Sequence, residues 1–330
     1  MVAERKESRI TAEEIELDQV KYYIRKIAEN PVPHTRTGAV LEEILGSAGK
    51  MLRARLLLRC AALGPDAIER RERLCIMAAM VELTHLASLV HDDIIDDAKL
   101  RRGRPSVQSR FGKDSAVYTG DFLISRVFSW GAREGLCDAV ERLALTIEDM
   151  CLGEIGQAQC RFCETVTVED YYANIRGKTA ALFRAACGMG AAEAGCTDAV
   201  IDQVERFGEY LGIAFQIRDD LLDFSGGREI GKETHQDFRE GIYTLPVLMA
   251  LQSSEGRAAL LPLMRASRER VLTEDEICSM EAVVVSLGGV EAAWSELRSC
   301  IAIGGALLDH MEDCAPVREL RRLWYALGKR

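Results

Sequence analysis

The sequence is poor in proline, with seven in 330 residues where about 5% is usual. Long stretches therefore run without a helix breaker, which favours extended helices. The surplus of Lys and Arg needed to hold a phosphate backbone is missing. Lys plus Arg number 42 against 52 Asp plus Glu, a formal net charge of −10. Nucleic acid is excluded as the main partner. The opening MVAERKESRI has no apolar signal segment, and no stretch of sequence approaches the ~20 apolar residues of a membrane span. A soluble, cytoplasmic chain is expected. Alternating runs bounded by hairpin turns are lacking, as is a linker long enough to separate domains. No second CxxC or CxxH lies near Cys160-Arg-Phe-Cys163, so the eleven cysteines read as reduced thiols rather than as a zinc site or redox pair.

Helical signals are plentiful. Thr11-x-x-Glu14 and Thr273-x-x-Glu276 read as capping boxes, each followed by amphipathic sequence. Ile201, Val204, Phe207, Leu211 and Phe215 recur at three- and four-residue spacing and predict one apolar stripe. Pro316 suits the first turn of a last helix. Turns are expected at Pro31-Val32-Pro33, Gly64-Pro65, Gly103-Arg104-Pro105 and Ser225-Gly226-Gly227. The pattern predicts one all-α domain over residues 1–330.

Two segments carry the chemistry. Asp92, Asp93 and Asp96 form a DDxxD pattern, and Asp219, Asp220 and Asp223 form another. Two such patterns in one chain are improbable by chance. On a helix the first and last aspartates project about 40° apart, so they share a face. Carboxylates so close repel unless a cation lies between them. Hard oxygen donors suit Mg²⁺, which keeps some waters and completes its shell with phosphate. Leu89, Val90, Ile94 and Ile95 flank the first cluster, and Ile217, Leu221, Leu222 and Phe224 the second. Apolar flanks of this kind oppose a merely solvated acidic face and predict the wall of a cavity.

The order of motifs resembles the all-trans polyprenyl diphosphate synthases of the isoprenyl diphosphate synthase family. It runs through Gly49-Lys50-x-x-Arg53, His85, the first DDxxD, Leu100-Arg101-Arg102-Gly103, Gly120-Asp121, Lys178-Thr179, Phe215-Gln216 with the second DDxxD, Gly231-Lys232 and Thr244-Leu245-Pro246. The resemblance implies an all-α bundle around a central cavity, usually a homodimer, with three Mg²⁺ ions bound alongside diphosphate. It places Lys50, Arg53, His85 and Arg102 around isopentenyl diphosphate, and Arg101, Lys178, Gln216 and Lys232 around the allylic diphosphate. Lys178, Thr179 and Gln216 are the expected catalytic residues, stabilising an allylic cation. Two departures stand out. Ile242-Tyr243 replaces a Lys common before Thr-Leu-Pro, which puts one allylic-phosphate contact in doubt, and Ala54 replaces a common Pro.

Product length is read on the helix before Asp92. Family members that stop at three or four isoprene units carry aromatic side chains where this chain has Thr84, Ala87 and Ser88. Small residues there imply a product of six to ten units, as for quinone side chains, and loose membrane association without an anchor. Three alternatives stay open: a geranylgeranyl or farnesyl diphosphate synthase, the catalytic subunit of a two-component synthase, and a class I terpene cyclase. The intact second DDxxD with Lys50, Arg53 and Arg102 favours chain elongation over cyclisation.

Overall fold

The computed structural model describes residues 12–29, 36–46, 49–101, 103–224 and 235–327. Thr11 of the first expected capping box lies outside them, as do Arg102, Gly231, Lys232 and the turns expected at 31–33 and 225–227. In chain order the elements are α1 (Ala12–Ile27), α2 (Arg36–Gly46), α3 (Leu52–Ala61), α4 (Arg71–Ile95), β1 (Leu100–Arg101), β2 (Arg104–Pro105), α5 (Val107–Phe111), α6 (Lys113–Arg133) and α7 (Cys137–Cys160). There follow α8 (Val168–Ile175), a π-helical turn (Arg176–Ala180), α9 (Ala181–Glu193), α10 (Asp198–Phe224) and α11 (Gln236–Arg239). The remainder is α12 (Leu245–Ala250), α13 (Ser254–Glu269), α14 (Glu274–Ser286), α15 (Gly289–Asp309) and α16 (Ala315–Leu327). The all-α expectation holds. The one exception among the described residues is a minimal antiparallel ribbon, Leu100 opposite Pro105 and Arg101 opposite Arg104. Gly103 within its turn has φ +76°, a conformation that glycine adopts without strain.

The chain packs as two compact units, Met1–Ala144 with Ala186–Ile201, and Leu145–Ala185 with Asp202–Arg330. In the first, α4 is the core element, buried nearly all round from Leu74 to Val90. A helix apolar on every side is stable only when other helices cover it, and α1, α3 and α6 do so here. The expectation that no segment approaches a membrane span needs correcting. α4 is long and apolar enough to cross a bilayer, yet most of that stretch is buried within the fold. Contact between α3 and α9 is backbone to backbone: a Cβ on Gly190 would lie 2.1 Å from the Leu57 carbonyl oxygen.

In the second unit the expected capping box at Thr273 forms in full. Thr273 Oγ1 accepts from the Glu276 N–H, and Glu276 accepts from the Thr273 N–H. Thr167 and Asp170 make a second box at the start of α8. Pro316 does sit in the first turn of α16. Along α10, Val204, Phe207 and Leu211 are fully buried, but Phe215 is 38% exposed. Helical phase keeps Phe215 within the stripe, so its exposure reflects what covers that end of α10; its ring meets Phe183 at 5.9 Å between centroids. Trp324 of α16 is wholly buried. Its Nε1 donates to the Ile301 carbonyl at 2.8 Å, and its ring packs against Phe207.

Trp324→Ala should lower stability by about 3–5 kcal/mol, read as the denaturant midpoint. Tyr325→Ala, at a half-exposed neighbour, should change it by less than about 1 kcal/mol.

Candidate active site

The first aspartate cluster closes α4. Asp92 is half-buried, Asp93 buried and Asp96 exposed. The Asp96 N–H still bonds the Asp92 carbonyl at 2.9 Å, so both carboxylates keep the helical phase that puts them on one face. Asp93, about 100° away, turns inward, where Arg101 Nε from β1 donates to its Oδ1 at 2.7 Å. Burial raises the Asp93 carboxyl above its ordinary range, and Arg101 opposes that rise. Arg101 and Asp93, expected at substrate and metal respectively, are thus tied to each other. His91, the residue before the cluster, faces the Val117 carbonyl and Asp121 on α6. Gly120 makes room for its ring, since a Cβ there would lie 2.2 Å from His91 Nε2.

The second cluster, at the end of α10, repeats the division. Asp219 is exposed, Asp220 buried and Asp223 half-buried. Tyr171 Oη donates to Asp220 Oδ2 at 2.6 Å, and Gln216 Nε2 donates to Asp220 Oδ1 at 2.8 Å. Gln216 Oε1 in turn accepts from Thr179 Oγ1 at 2.7 Å. Desolvation pushes Asp220 up to about 6 against the pull of those two donors. Asp219 and Asp223 are raised as well, mainly by desolvation. Asp237, at the start of α11, is pushed up to about 8 by burial and then by Asp220 and Asp223. Ile95 and Leu222, among the apolar flanks, are exposed rather than buried.

Lys178 and Thr179 lie in the π-helical turn. Lys178 Nζ donates to Gln157 Oε1 at 2.8 Å and pairs with Glu154 at 3.0 Å, both on α7. Glycines at two contacts hold this turn close. A Cβ on Gly153 would lie 2.3 Å from the Lys178 backbone nitrogen, and one on Gly212 would lie 2.4 Å from Ala180 Cα. Short π segments recur at functional sites because they re-aim side chains that a regular helix would place elsewhere.

On the first unit, Lys50 is exposed just before α3, and Arg53 is half-buried on its first turn. Glu82 of α4 is buried, accepts from the Ala54 N–H at 3.0 Å and faces Arg53 electrostatically. Desolvation lowers the Arg53 guanidinium to about 10, with Glu82 opposing. His85 lies one turn beyond Glu82, half-buried, with its carbonyl accepting from Ser88 Oγ at 2.9 Å. α3 and α4 therefore bring the Arg53 and His85 segments together. Thr84 is buried with its hydroxyl on the Met80 carbonyl at 3.0 Å, and Ala87 is fully buried. The Thr84 and Ser88 hydroxyls both bond carbonyls of their own helix.

Sequence reasoning missed Glu82, Tyr171, Glu154, Gln157 and Asp237. Glu82 carries a signal, a lone carboxylate in the apolar run MAAMVELTHLASLV. Tyr171 and Asp237 carry none. The donor set fits a hard divalent cation: several carboxyls crowd together, and desolvation with their mutual repulsion raises those of the second cluster against the pull of Arg218, His235 and Lys178. Among the described residues no three ligating side chains already close on one point. Mg²⁺ seldom needs such a cage, since waters and substrate phosphates fill its shell.

The family model for polyprenyl synthetase matches residues 34–279. Heptaprenyl diphosphate synthase component 2 of Geobacillus stearothermophilus is 36% identical over 301 residues, 89% of this chain and 89% of that protein. A decaprenyl diphosphate synthase from Rhodobacter capsulatus, a solved structure, is similar with a TM-score of 0.85 at 31% identity, covering 95% of each chain. The polyprenyl synthase of Caulobacter crescentus CB15, solved with calcium and isoprenyl diphosphate, is similar with a TM-score of 0.85 at 30% identity. That match covers 96% of this chain and 95% of the other.

Gly153→Ala should push the π-helical turn away from α7, since every atom its Cβ would meet first is backbone. The expected result is a loss of about 1–3 kcal/mol in thermal unfolding. Gly46→Ala, with nothing within 4 Å of its Cβ, should be close to neutral.

Proposed function

Because the chain belongs to the polyprenyl synthetase family, we propose that it condenses isopentenyl diphosphate with an allylic diphosphate, geranyl or farnesyl, to give a long all-trans polyprenyl diphosphate. It is a prenyltransferase, and residues 1–330 act as one functional domain in this reading. The observation that carries the reading is the division seen in both aspartate clusters. The middle carboxylate is buried and bonded to protein, while the outer two, Asp92 with Asp96 and Asp219 with Asp223, remain open or half-open. Those four are the residues that would hold Mg²⁺, three ions alongside the diphosphate in this reading. A divalent metal supplies charge neutralisation that makes diphosphate a better leaving group.

The protein's own groups account for the rest. Lys178, now paired with Glu154, supplies a compact cation for the charge that builds on the leaving oxygen. Arg101 holds Asp93 inward and so keeps Asp92 and Asp96 in phase on the opposite side of the turn. Thr179 donates its proton to Gln216, which leaves its oxygen lone pairs to face developing positive charge on the allylic carbon. Lys50, Arg53 and His85 hold the isopentenyl diphosphate, and its double bond attacks the allylic carbon. The proton lost afterwards goes to the departing diphosphate. No separate protein base is required.

The small side chains at Thr84, Ala87 and Ser88 support a long product, as do relatives whose names specify heptaprenyl and decaprenyl diphosphates. A homodimer is the simplest assembly. A second reading, the catalytic half of a two-chain enzyme, is favoured by one observation: the Geobacillus relative is named a component 2.

The test incubates the purified chain with Mg²⁺, farnesyl diphosphate and labelled isopentenyl diphosphate, then sizes the dephosphorylated products. Products beyond twenty carbons are expected, with Asp92→Ala slower by about 100-fold or more. No incorporation with any primer would overturn the stand-alone reading and leave the two-chain one. Ser88→Phe should shorten the products, since one helical turn of about 5.4 Å is near one isoprene unit. An unchanged product ladder would remove Ser88 from the ruler.

A further inference from the structure

Four side chains of one unit form a directed chain of hydrogen bonds that starts outside the expected catalytic set. Tyr171 of α8 is buried, and its hydroxyl reaches Asp220 Oδ2 at 2.6 Å. The other Asp220 oxygen accepts from Gln216 Nε2 at 2.8 Å, one turn earlier on α10. Gln216 Oε1 then accepts from Thr179 Oγ1 at 2.7 Å. The sense of this chain is forced from one end. A carboxylate only accepts, so it fixes which side of the Gln216 amide carries the NH₂ group. The amide oxygen must then face Thr179, whose hydroxyl has to donate. Were the amide to turn over, its NH₂ would donate to Thr179 and the hydroxyl proton would point elsewhere.

We propose that Tyr171 is a positioning residue: by anchoring Asp220 it fixes the Gln216 amide and, through it, the direction of the Thr179 hydroxyl. Asp220 serves this hydrogen-bond chain and is not a metal ligand. The inference rests on the reading above that the Thr179 oxygen faces positive charge on the allylic carbon. With the chain intact, lone pairs face that charge. Without the Tyr171 hydroxyl the Asp220 carboxylate is free to swing off the amide, the amide turns over in a fraction of the molecules so that a proton faces the charge, and the reaction slows without loss of substrate binding. Tyr171 thus acts through two intermediaries and touches neither substrate nor metal.

The first arm measures prenyl transfer with farnesyl and isopentenyl diphosphates at saturating Mg²⁺. Tyr171→Phe deletes only the hydroxyl. It should lower kcat about 10-fold while both KM values stay within about twofold, the signature of an interaction made in the transition state. In a Thr179→Val background the same substitution should lower kcat by less than about twofold, because the group it acts through is gone. Equal losses in both backgrounds, or no loss in the first, would overturn the proposal.

The second arm needs no turnover. The rise in melting temperature on adding Mg²⁺ with inorganic pyrophosphate is measured for the wild-type chain, Asp219→Asn and Asp220→Asn. The rise should persist in Asp220→Asn and shrink in Asp219→Asn. Its loss in Asp220→Asn would make that residue a ligand and overturn the proposal. A wild-type chain that transfers no prenyl group but shows the pyrophosphate rise marks failure of the stand-alone reading, and the Asp220 comparison then decides the inference by itself.

Discussion

A carboxylate in apolar surroundings keeps its charge only if something answers it, and this constraint organises both functional helices. Three aspartates at positions one, two and five of a DDxxD pattern cannot all face the same way. Two share a face and the middle one turns about 100° aside. In both clusters that middle residue meets a donor supplied by another element, Arg101 for Asp93 and Tyr171 with Gln216 for Asp220. The outer residues are left more exposed than the middle one in each cluster.

The second organising feature is backbone contact. Glycines at 153 and 212 let α7 and α10 approach the π-helical turn to within distances that any side chain would prevent. A π turn offers poorer hydrogen bonding than an α-helix and survives where its neighbours confine it. Here confinement delivers two adjacent residues, Lys178 and Thr179, to different tasks. One reaches Glu154 and Gln157 on α7, and the other reaches Gln216 on α10.

Much of this was legible in the sequence, for identifiable reasons. The helical class followed from scarce proline and from three- and four-residue spacing, and the Thr273 box from local chemistry that packing did not override. The aspartate clusters showed themselves because a repeated, costly pattern is rare. Single long-range partners were not legible. Tyr171 lies 49 residues from Asp220, and nothing in its neighbourhood marks it as a donor. The inward turn of Asp93 and Asp220 was implicit in helical geometry, but the identity of what receives them was not. Phe215 shows the limit of periodicity, since it keeps the phase of the buried stripe yet is 38% exposed, because spacing does not say which neighbours cover each turn.

On α4 the residues that hold charge and the residues that face the apolar side occupy successive turns of one rigid helix. Thr84 and Ser88 have already folded their hydroxyls onto their own backbone, so what they offer outward is bulk and nothing else. A change of size at half-buried Ser88 would therefore break no hydrogen bond that the proposed chemistry uses, whereas Thr84 is packed in the core. On the proposed function, the volume of Ser88 would set product length while the aspartates one turn away keep the chemistry. On that proposal, diversity of product and constancy of reaction are two properties of the same helix, separated by about one turn.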